Sequence, residues 1–165
     1  MFTIFNWENV FKNSTTFKKN KPFPFGFVEE VLNLEFYEKL HQTFPKEDEK
    51  WYAVQDYSRS AKKRYFGPNK KNAIAEDDVD PSLSEEWNRF HHYLTTEEFV
   101  DNMSKYTGIE LTGLRQFAFI NNHKGDFNMP HIHWEESRGG RTSGYKVTFL
   151  MFFARDWPKG EPGGT

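Results

Sequence analysis

Three alternating residues, His131, His133 and Glu135, have the types and the spacing of metal ligands. In an extended strand alternate side chains share a face, so these three would project to one side and Ile132 and Trp134 to the other. Two imidazoles and a carboxylate suit a mid-row transition metal and leave coordination positions open for substrate or oxygen. The pattern predicts a metal centre, and the alternative interpretation is a pair of surface histidines on an amphipathic strand.

The segments around this run are expected to position it. Residues 121–126, NNHKGD, predict the turn that leads into it, with His123 as a secondary ligand candidate. Residues 145–154, YKVTFLMFFA, are mostly apolar on both alternating faces and predict a strand buried on both sides. A segment rich in proline and glycine follows. The other histidines are expected at the edge of the core or on the surface: His41 at the core edge, His91 and His92 on the surface.

In their order, these motifs resemble the iron- and 2-oxoglutarate-dependent oxygenases, in the prolyl-hydroxylase-like branch. PHIH, YKVTFLMFFARDW and GEPGGT stand where that family has its metal strand, a buried strand with an Asp-Trp turn, and a Gly-Gly pair. Residues 21–45 are similar to the strand and amphipathic helix that open many such enzymes. Residues 99–119 are similar to the helix, Thr-Gly turn and first core strand before the metal site. The resemblance therefore covers about the whole chain.

The resemblance implies Fe(II) as the metal, 2-oxoglutarate as the co-substrate, and hydroxylation of an unactivated C–H bond in a prolyl or other peptidyl substrate. No catalytic group beyond the metal ligands is expected. The family has an aspartate where this chain has His133, so either His133 takes that place or His133 and Glu135 form a shifted pair. Lys146 stands on the strand from which some branches bind 2-oxoglutarate, and the alternative is a lysine that reaches solvent at a strand end. Phe152 stands where relatives often carry a co-substrate-binding tyrosine.

The expected fold class is α+β, with N-terminal helices packed on a double-stranded β-helix of the jelly-roll or cupin type. A single, partial domain is expected over residues 1–165, with a helical support region at 1–108 and the start of the β-helix core at 109–165. In the family a distal histidine and a basic co-substrate residue lie on strands beyond the Gly-Gly pair. The sequence ends at Thr165, so those C-terminal strands are expected to be missing. An uncovered strand edge would then promote self-association.

Composition restricts the class of protein and its partners. The absence of cysteine excludes disulfides and thiolate ligands and is consistent with a cytoplasmic location. The sequence has no apolar run long enough for a transmembrane helix, and its net charge of −2 gives no general attraction to nucleic acid. The expected partners are the small co-substrate and a peptide or protein substrate, without nucleic acid or membrane.

Periodicity and turn residues predict the remaining irregular segments and strands. Residues 1–20 predict a short strand or an irregular lead-in, and residues 23–31 a strand. Residues 46–80 predict a charged loop in which the KKR triplet at 62–64 is solvated, and the alternative is that Trp51 and Tyr52 start a strand there. The family resemblance places part of this loop near the substrate. Residues 111–121 predict a strand with Phe117 and Phe119 on one face.

Three helices are predicted from capping signals and apolar spacing. Asn33 caps the first. Ser82 with Glu85, and Thr95 with Glu98, form capping boxes for the other two, and glycine at position 108 ends the last. The apolar faces expected to be buried contain Leu34, Tyr37, Leu40, Phe44, Leu83, Trp87, Phe90, Leu94, Phe99, Val100, Met103 and Tyr106.

Two other functions stay open from the residues alone. Gly125, five residues and then His131-x-His133 match the opening of the cupin metal motif, with Glu136 one position short of that motif's carboxylate. A cupin-type metal-binding protein is therefore one alternative. A catalytically inactive fragment or binding module is the other, because of the altered ligand set and the absent distal strands.

Overall fold

A computed structural model describes residues 3–12, 14–67, 79–114, 116–129 and 147–155. These residues form a mixed α+β arrangement, which confirms the α+β class, while the double-stranded β-helix stays a prediction. The described elements are, in order, α1 (Trp7–Lys12), α2 (Ser14–Phe17), α3 (Leu34–Gln42), β1 (Tyr52–Gln55), β2 (Ser60–Tyr65), α4 (Glu85–Thr95), α5 (Glu97–Thr107) and β3 (Ala118–Asn121). None of the described helices has the length and apolarity needed to cross a membrane.

The described strands form one antiparallel sheet in the order β1-β2-β3. Arg64 of β2 lies opposite Phe119 of β3. The turn between β1 and β2 is built by Asp56, whose Oδ1 accepts hydrogen bonds from the N–H groups of Ser58 at 2.7 Å and Arg59 at 3.1 Å. A short acidic side chain that bonds to the backbone two and three residues later is a common way to close such a turn.

The capping residues show how far local signals set the helix limits. The Asn33 side chain accepts hydrogen bonds from two N–H groups in the first turn of α3, which confirms the predicted cap. Gly108 ends α5 at a φ of 64°, also as predicted, because this left-handed conformation favours glycine. The caps of α4 and α5 are Ser84 and Thr96, so the predicted capping boxes start two residues and one residue too early.

The main core lies between α3, α4, α5 and the inner face of the sheet. Trp87 of α4 is almost fully buried and packs edge-to-face on Phe119 of β3, with 4.9 Å between ring centroids. On α3 the buried residues are Phe36 and Leu40, whereas Leu34 is 72% exposed. Residues four positions apart share a helix face, so the burial of Phe36 and Leu40 turns Leu34 outwards, and its predicted burial is wrong.

A second cluster of buried residues joins the N-terminal segment to α5. Val10 of α1, Phe17 of α2 and Tyr106 of α5 form it, with the Phe17 and Tyr106 rings 5.5 Å apart. Residues 1–20 were predicted as a strand or irregular lead-in, and this is wrong where α1 and α2 form. Val10 and Phe17, one from each of these helices, pack against Tyr106 of α5.

Three further strand and loop predictions are corrected by the structure. Residues 23–31 form no strand, because Pro22 and Pro24 lack the N–H donors that a strand ladder needs. Residues 46–80 were predicted as a loop, with a strand start at Trp51 and Tyr52 as the alternative; β1 does start at Tyr52, and β1 and β2 form a hairpin within this range. Of the strand predicted over 111–121, β3 is the part that forms among the residues described there, 111–114 and 116–121.

Candidate functional site

The residues predicted to bind metal and co-substrate lie outside the described residues: His131, His133, Glu135 and Lys146. The described chain approaches them up to residue 129 and resumes at residue 147. In the described part of the chain, no group of three or more His, Cys, Asp or Glu side chains could hold a metal ion. The described geometry therefore concerns the segments that lead into and out of the predicted site.

Residues 127–129 lead towards the predicted ligands and lie along the hairpin beyond the end of β3. The Ser60 N–H donates to the Phe127 carbonyl at 2.8 Å, and the Met129 N–H donates to the Ser58 carbonyl at 2.7 Å. An isolated antiparallel bridge lies between these two hydrogen bonds. After β3 and a short loop, residues 127–129 therefore pair next to the β1–β2 turn. Residue 129 lies two positions before His131, the first residue of the metal motif.

The loop at residues 122–126 is tied to its surroundings by polar side chains, and its turn confirms the prediction for NNHKGD. The Nε2 atom of His123 lies 2.7 Å from the Glu47 carboxylate, and the His123 backbone N–H donates to Asp126 Oδ2 at 2.7 Å. The Ser60 hydroxyl donates to the same aspartate. These hydrogen bonds, first that from the His123 backbone, lower the pKa of Asp126. The loop therefore fixes the start of residues 127–129 on β2.

Residues 147–155, which follow the predicted site, pack on α3 and do not join the sheet. The Phe153 ring stacks on Tyr37 with 5.6 Å between centroids, and the Arg155 guanidinium lies 5.4 Å from the same ring. The prediction of a strand buried on both sides is therefore wrong for this segment, because only one side is covered, by α3, α4 and α5. The exposed large apolar residues of the segment are Phe149, Leu150 and Phe152.

The histidines of α3 and α4 have different environments. His41 is half-buried and His92 is exposed, as predicted. His91 is fully buried, so the predicted surface position is wrong. Its ring stacks on Phe66 with 3.7 Å between centroids and an angle of 5°. His91 lies four positions after Trp87, on the inner face of α4, and this spacing was the signal that the sequence interpretation missed.

A buried ionic cluster beside β2 was also missed by the sequence interpretation. Arg64 and Asp80 are each only 1% exposed, and their side chains form an ion pair at 2.8 Å. The Lys50 ammonium lies 3.4 Å from the second oxygen of Asp80. The KKR triplet was predicted to be solvated, and this is wrong for Arg64. Arg64 and Phe66, which follows the end of β2, are two positions apart and are both buried. Alternation of side chains along the strand could have indicated that Arg64 faces inwards.

The chemistry of this cluster is structural. Burial raises the pKa of Asp80, but hydrogen bonds from Ser82 and Arg64 outweigh burial and hold the pKa of the carboxyl well below its usual range. The Asn88 side chain on α4 also exchanges two hydrogen bonds with the backbone of Asp80. The Asp80 carboxylate is thus charged and accepts several hydrogen bonds. It links β2 to α4, and it is not free to act as an acid or base in catalysis.

Comparison with protein-family models, curated proteins and solved structures finds no match for this chain. Two imidazoles and a carboxylate provide nitrogen and oxygen ligands of the kind that Fe(II) takes in oxygenases, with open positions. His131, His133 and Glu135 carry side chains of these types, and His133 with either neighbour supplies two such ligands.

Proposed function

We propose that this chain is a cytoplasmic Fe(II)- and 2-oxoglutarate-dependent oxygenase that hydroxylates an unactivated C–H bond in a prolyl or other peptidyl substrate. The observation that carries the proposal is the alternation of His131, His133 and Glu135 shortly after residues 127–129, which pair with residues 58–60 at the start of β2. The ordered motifs that resemble the oxygenases give further support. In this proposal β2 and β3 contribute to a double-stranded β-helix.

Strand geometry limits which residues share one metal ion. Along a strand, side chains two residues apart are separated by about 6.6 Å, and side chains four residues apart by about 13 Å. One ion can be bound by both side chains of a pair two residues apart. It cannot be bound by both side chains of a pair four residues apart. The strand therefore supplies either His131 with His133 or His133 with Glu135, and His133 belongs to both pairs.

The residues of the chain would hold the reactants in place. Bound Fe(II) supplies the activation of O2, with one oxygen atom entering the substrate as hydroxyl and the other entering succinate as 2-oxoglutarate loses CO2. Neutral imidazoles leave the positive charge of the ion uncompensated, so a Glu135 ligand would favour its binding. Lys146 would pair with the far carboxylate of 2-oxoglutarate, because an ammonium group removed from water needs an opposite charge.

Anaerobic titration of the purified chain with Fe(II) and 2-oxoglutarate tests the proposal. A weak visible charge-transfer band is expected only when both are present, followed by succinate formation when O2 and a peptide substrate are added. His133→Ala should abolish the band. His131→Ala and Glu135→Gln identify the second ligand, since only one of them should have the same effect.

The matched control is His92→Ala, which removes an exposed imidazole from α4 and should leave the band unchanged. Lys146→Met should weaken 2-oxoglutarate binding and leave Fe(II) binding intact. Metal binding without any response to 2-oxoglutarate would contradict the proposal in favour of a cupin-type protein. Absence of metal binding would contradict it in favour of an inactive binding module.

A further inference from the structure

Three phenylalanines form an exposed row on the segment before α3. Phe23, Phe25 and Phe27 are 65%, 43% and 66% exposed. Gly26 and Val28 lie against the protein: Val28 packs against the cluster of Val10, Phe17 and Tyr106, and a Cβ added at Gly26 would overlap the Tyr106 hydroxyl. One side of the segment is therefore fixed against α2 and α5, and the other side presents phenyl rings to solvent.

The backbone of this row is held in place by side chains outside it. The Asn20 side chain donates a hydrogen bond to the Phe25 carbonyl at 2.7 Å, and the Asn9 side chain donates one to the Glu29 carbonyl at 2.7 Å. Pro22 and Pro24 restrict the backbone between these anchors. The backbone that carries the rings is therefore already ordered. This lowers the conformational entropy that would be lost on binding a partner.

Charge is distributed unevenly around the row. Residues 18–28 contain three lysines, at positions 18, 19 and 21, and no acidic residue. All three lysines are exposed. Glu29 and Glu30 follow, so positive charge is concentrated at the end of the row that carries Phe23. A partner is expected to offer an apolar layer next to negative charge.

We propose that residues 18–28 form a docking surface for an anionic phospholipid bilayer. The phenyl rings would enter the boundary between headgroups and acyl chains while the lysines remain among the phosphates. Large exposed apolar groups beside basic residues are typical of such interfacial contacts. The expectation of no membrane partner was based on the absence of a spanning segment, which this mode of binding does not need. The inference is independent of the proposed oxygenase activity.

Two other classes of partner fit the row less well. The rings of Phe23 and Phe25 meet edge-to-face, at 63° and 6.0 Å, so they offer no parallel surface on which successive nucleic-acid bases could stack. An extended peptide that adds a strand needs backbone donors, and Pro22 and Pro24 have no N–H. A bilayer requires neither parallel rings nor backbone donors.

Co-sedimentation of the full chain with vesicles tests this inference. Binding is expected to phosphatidylcholine vesicles that contain phosphatidylserine, and not to vesicles of phosphatidylcholine alone, and it should weaken as salt is raised. Lys19→Gln and Lys21→Gln should each weaken binding about fivefold at low salt. Phe23→Ser and Phe27→Ser should each weaken it about tenfold.

The matched control is Leu34→Ser, which removes an exposed apolar side chain from α3 and should not change vesicle binding. Circular dichroism checks that each variant keeps the wild-type helix content. Equal binding to neutral and anionic vesicles, or binding to neither, would overturn the inference. It would also be overturned if Phe23→Ser and Phe27→Ser bound as wild type, or if the row served only self-association seen by sedimentation without vesicles.

Discussion

The contact between Gly26 and Tyr106 offers a sharp test of the packing described above. A Cβ at Gly26 would overlap the Tyr106 hydroxyl oxygen and lie 3.0 Å from Tyr106 Cζ and 3.3 Å from Phe17 Cδ2. Tyr106 is only 7% exposed, and its hydroxyl has no hydrogen-bond partner among the described residues. Because the ring is buried, the hydroxyl cannot swing into solvent, so Gly26→Ala is expected to strain this cluster.

Two opposing effects set the size of this change. Replacing glycine by alanine restricts the unfolded chain and stabilises the fold by about 0.4–1 kcal/mol. Overpacking of a buried site costs about 1–3 kcal/mol. The net expectation for Gly26→Ala is a loss of about 1–2 kcal/mol in the free energy of unfolding. Tyr106→Phe removes a buried hydroxyl without a partner, so it should be neutral or stabilise the protein by about 1 kcal/mol.

The double variant gives the decisive measurement. Once the hydroxyl is absent, the alanine Cβ loses its closest clash, so Gly26→Ala should cost less than about 0.5 kcal/mol in the Tyr106→Phe background. Urea denaturation followed by circular dichroism measures all four free energies. Gly67→Ala is the control: Gly67 has a φ of 77°, and a Cβ added there would have no atom of the described residues within 4 Å, so its cost should not depend on Tyr106. Additive effects of Gly26→Ala and Tyr106→Phe would refute the reasoning.

Three further predictions concern the buried ionic cluster, a helix cap and the packing of the C-terminal described segment. Asp80→Asn should cost about 3–5 kcal/mol in urea denaturation, because it leaves a buried guanidinium without its closest carboxylate. The pKa of Asp80 is lowered in the folded protein, so its contribution is complete above its ordinary pKa of 3.8 and is lost as pH falls further; the difference between wild type and variant should shrink there. Thr96→Ala should lower the free energy of unfolding by about 1 kcal/mol and Thr95→Ala by less, since only Thr96 caps α5. Phe153→Ala should reduce the melting temperature more than Phe152→Ala, because only the first ring stacks on α3.

Local sequence signals predicted the features that depend on neighbouring residues. The cap at Asn33 and the stop at Gly108 need only the backbone within one or two helical turns. The turn after β3 likewise follows from its own polar and glycine residues. The α4 cap was misplaced because Ser82 has the right chemistry but donates to Asp80, two residues before it.

Burial of polar residues could not be predicted in the same way. A lysine-lysine-arginine triplet normally indicates a solvated face, yet Arg64 is buried because Asp80 reaches it across 16 positions of chain. His91 is buried because Phe66, on the strand side of the core, offers its ring face. For Arg64 the carboxylate that compensates for lost solvent, and for His91 the ring that packs on it, come from segments distant along the chain.

By itself the sequence determined the α+β class, the three main helices and the side-chain chemistry of the predicted ligands at positions 131, 133 and 135, since composition and spacing of near neighbours carry that information. Only the tertiary structure decided that residues 127–129 pair with residues 58–60, that residues 147–155 pack on α3, and that the phenylalanines of residues 23–27 face solvent. Each of these outcomes depends on which face of a segment is covered by residues distant along the chain. The alternation of side chains along the segment is the same whether one face is covered or both, so it cannot predict the outcome.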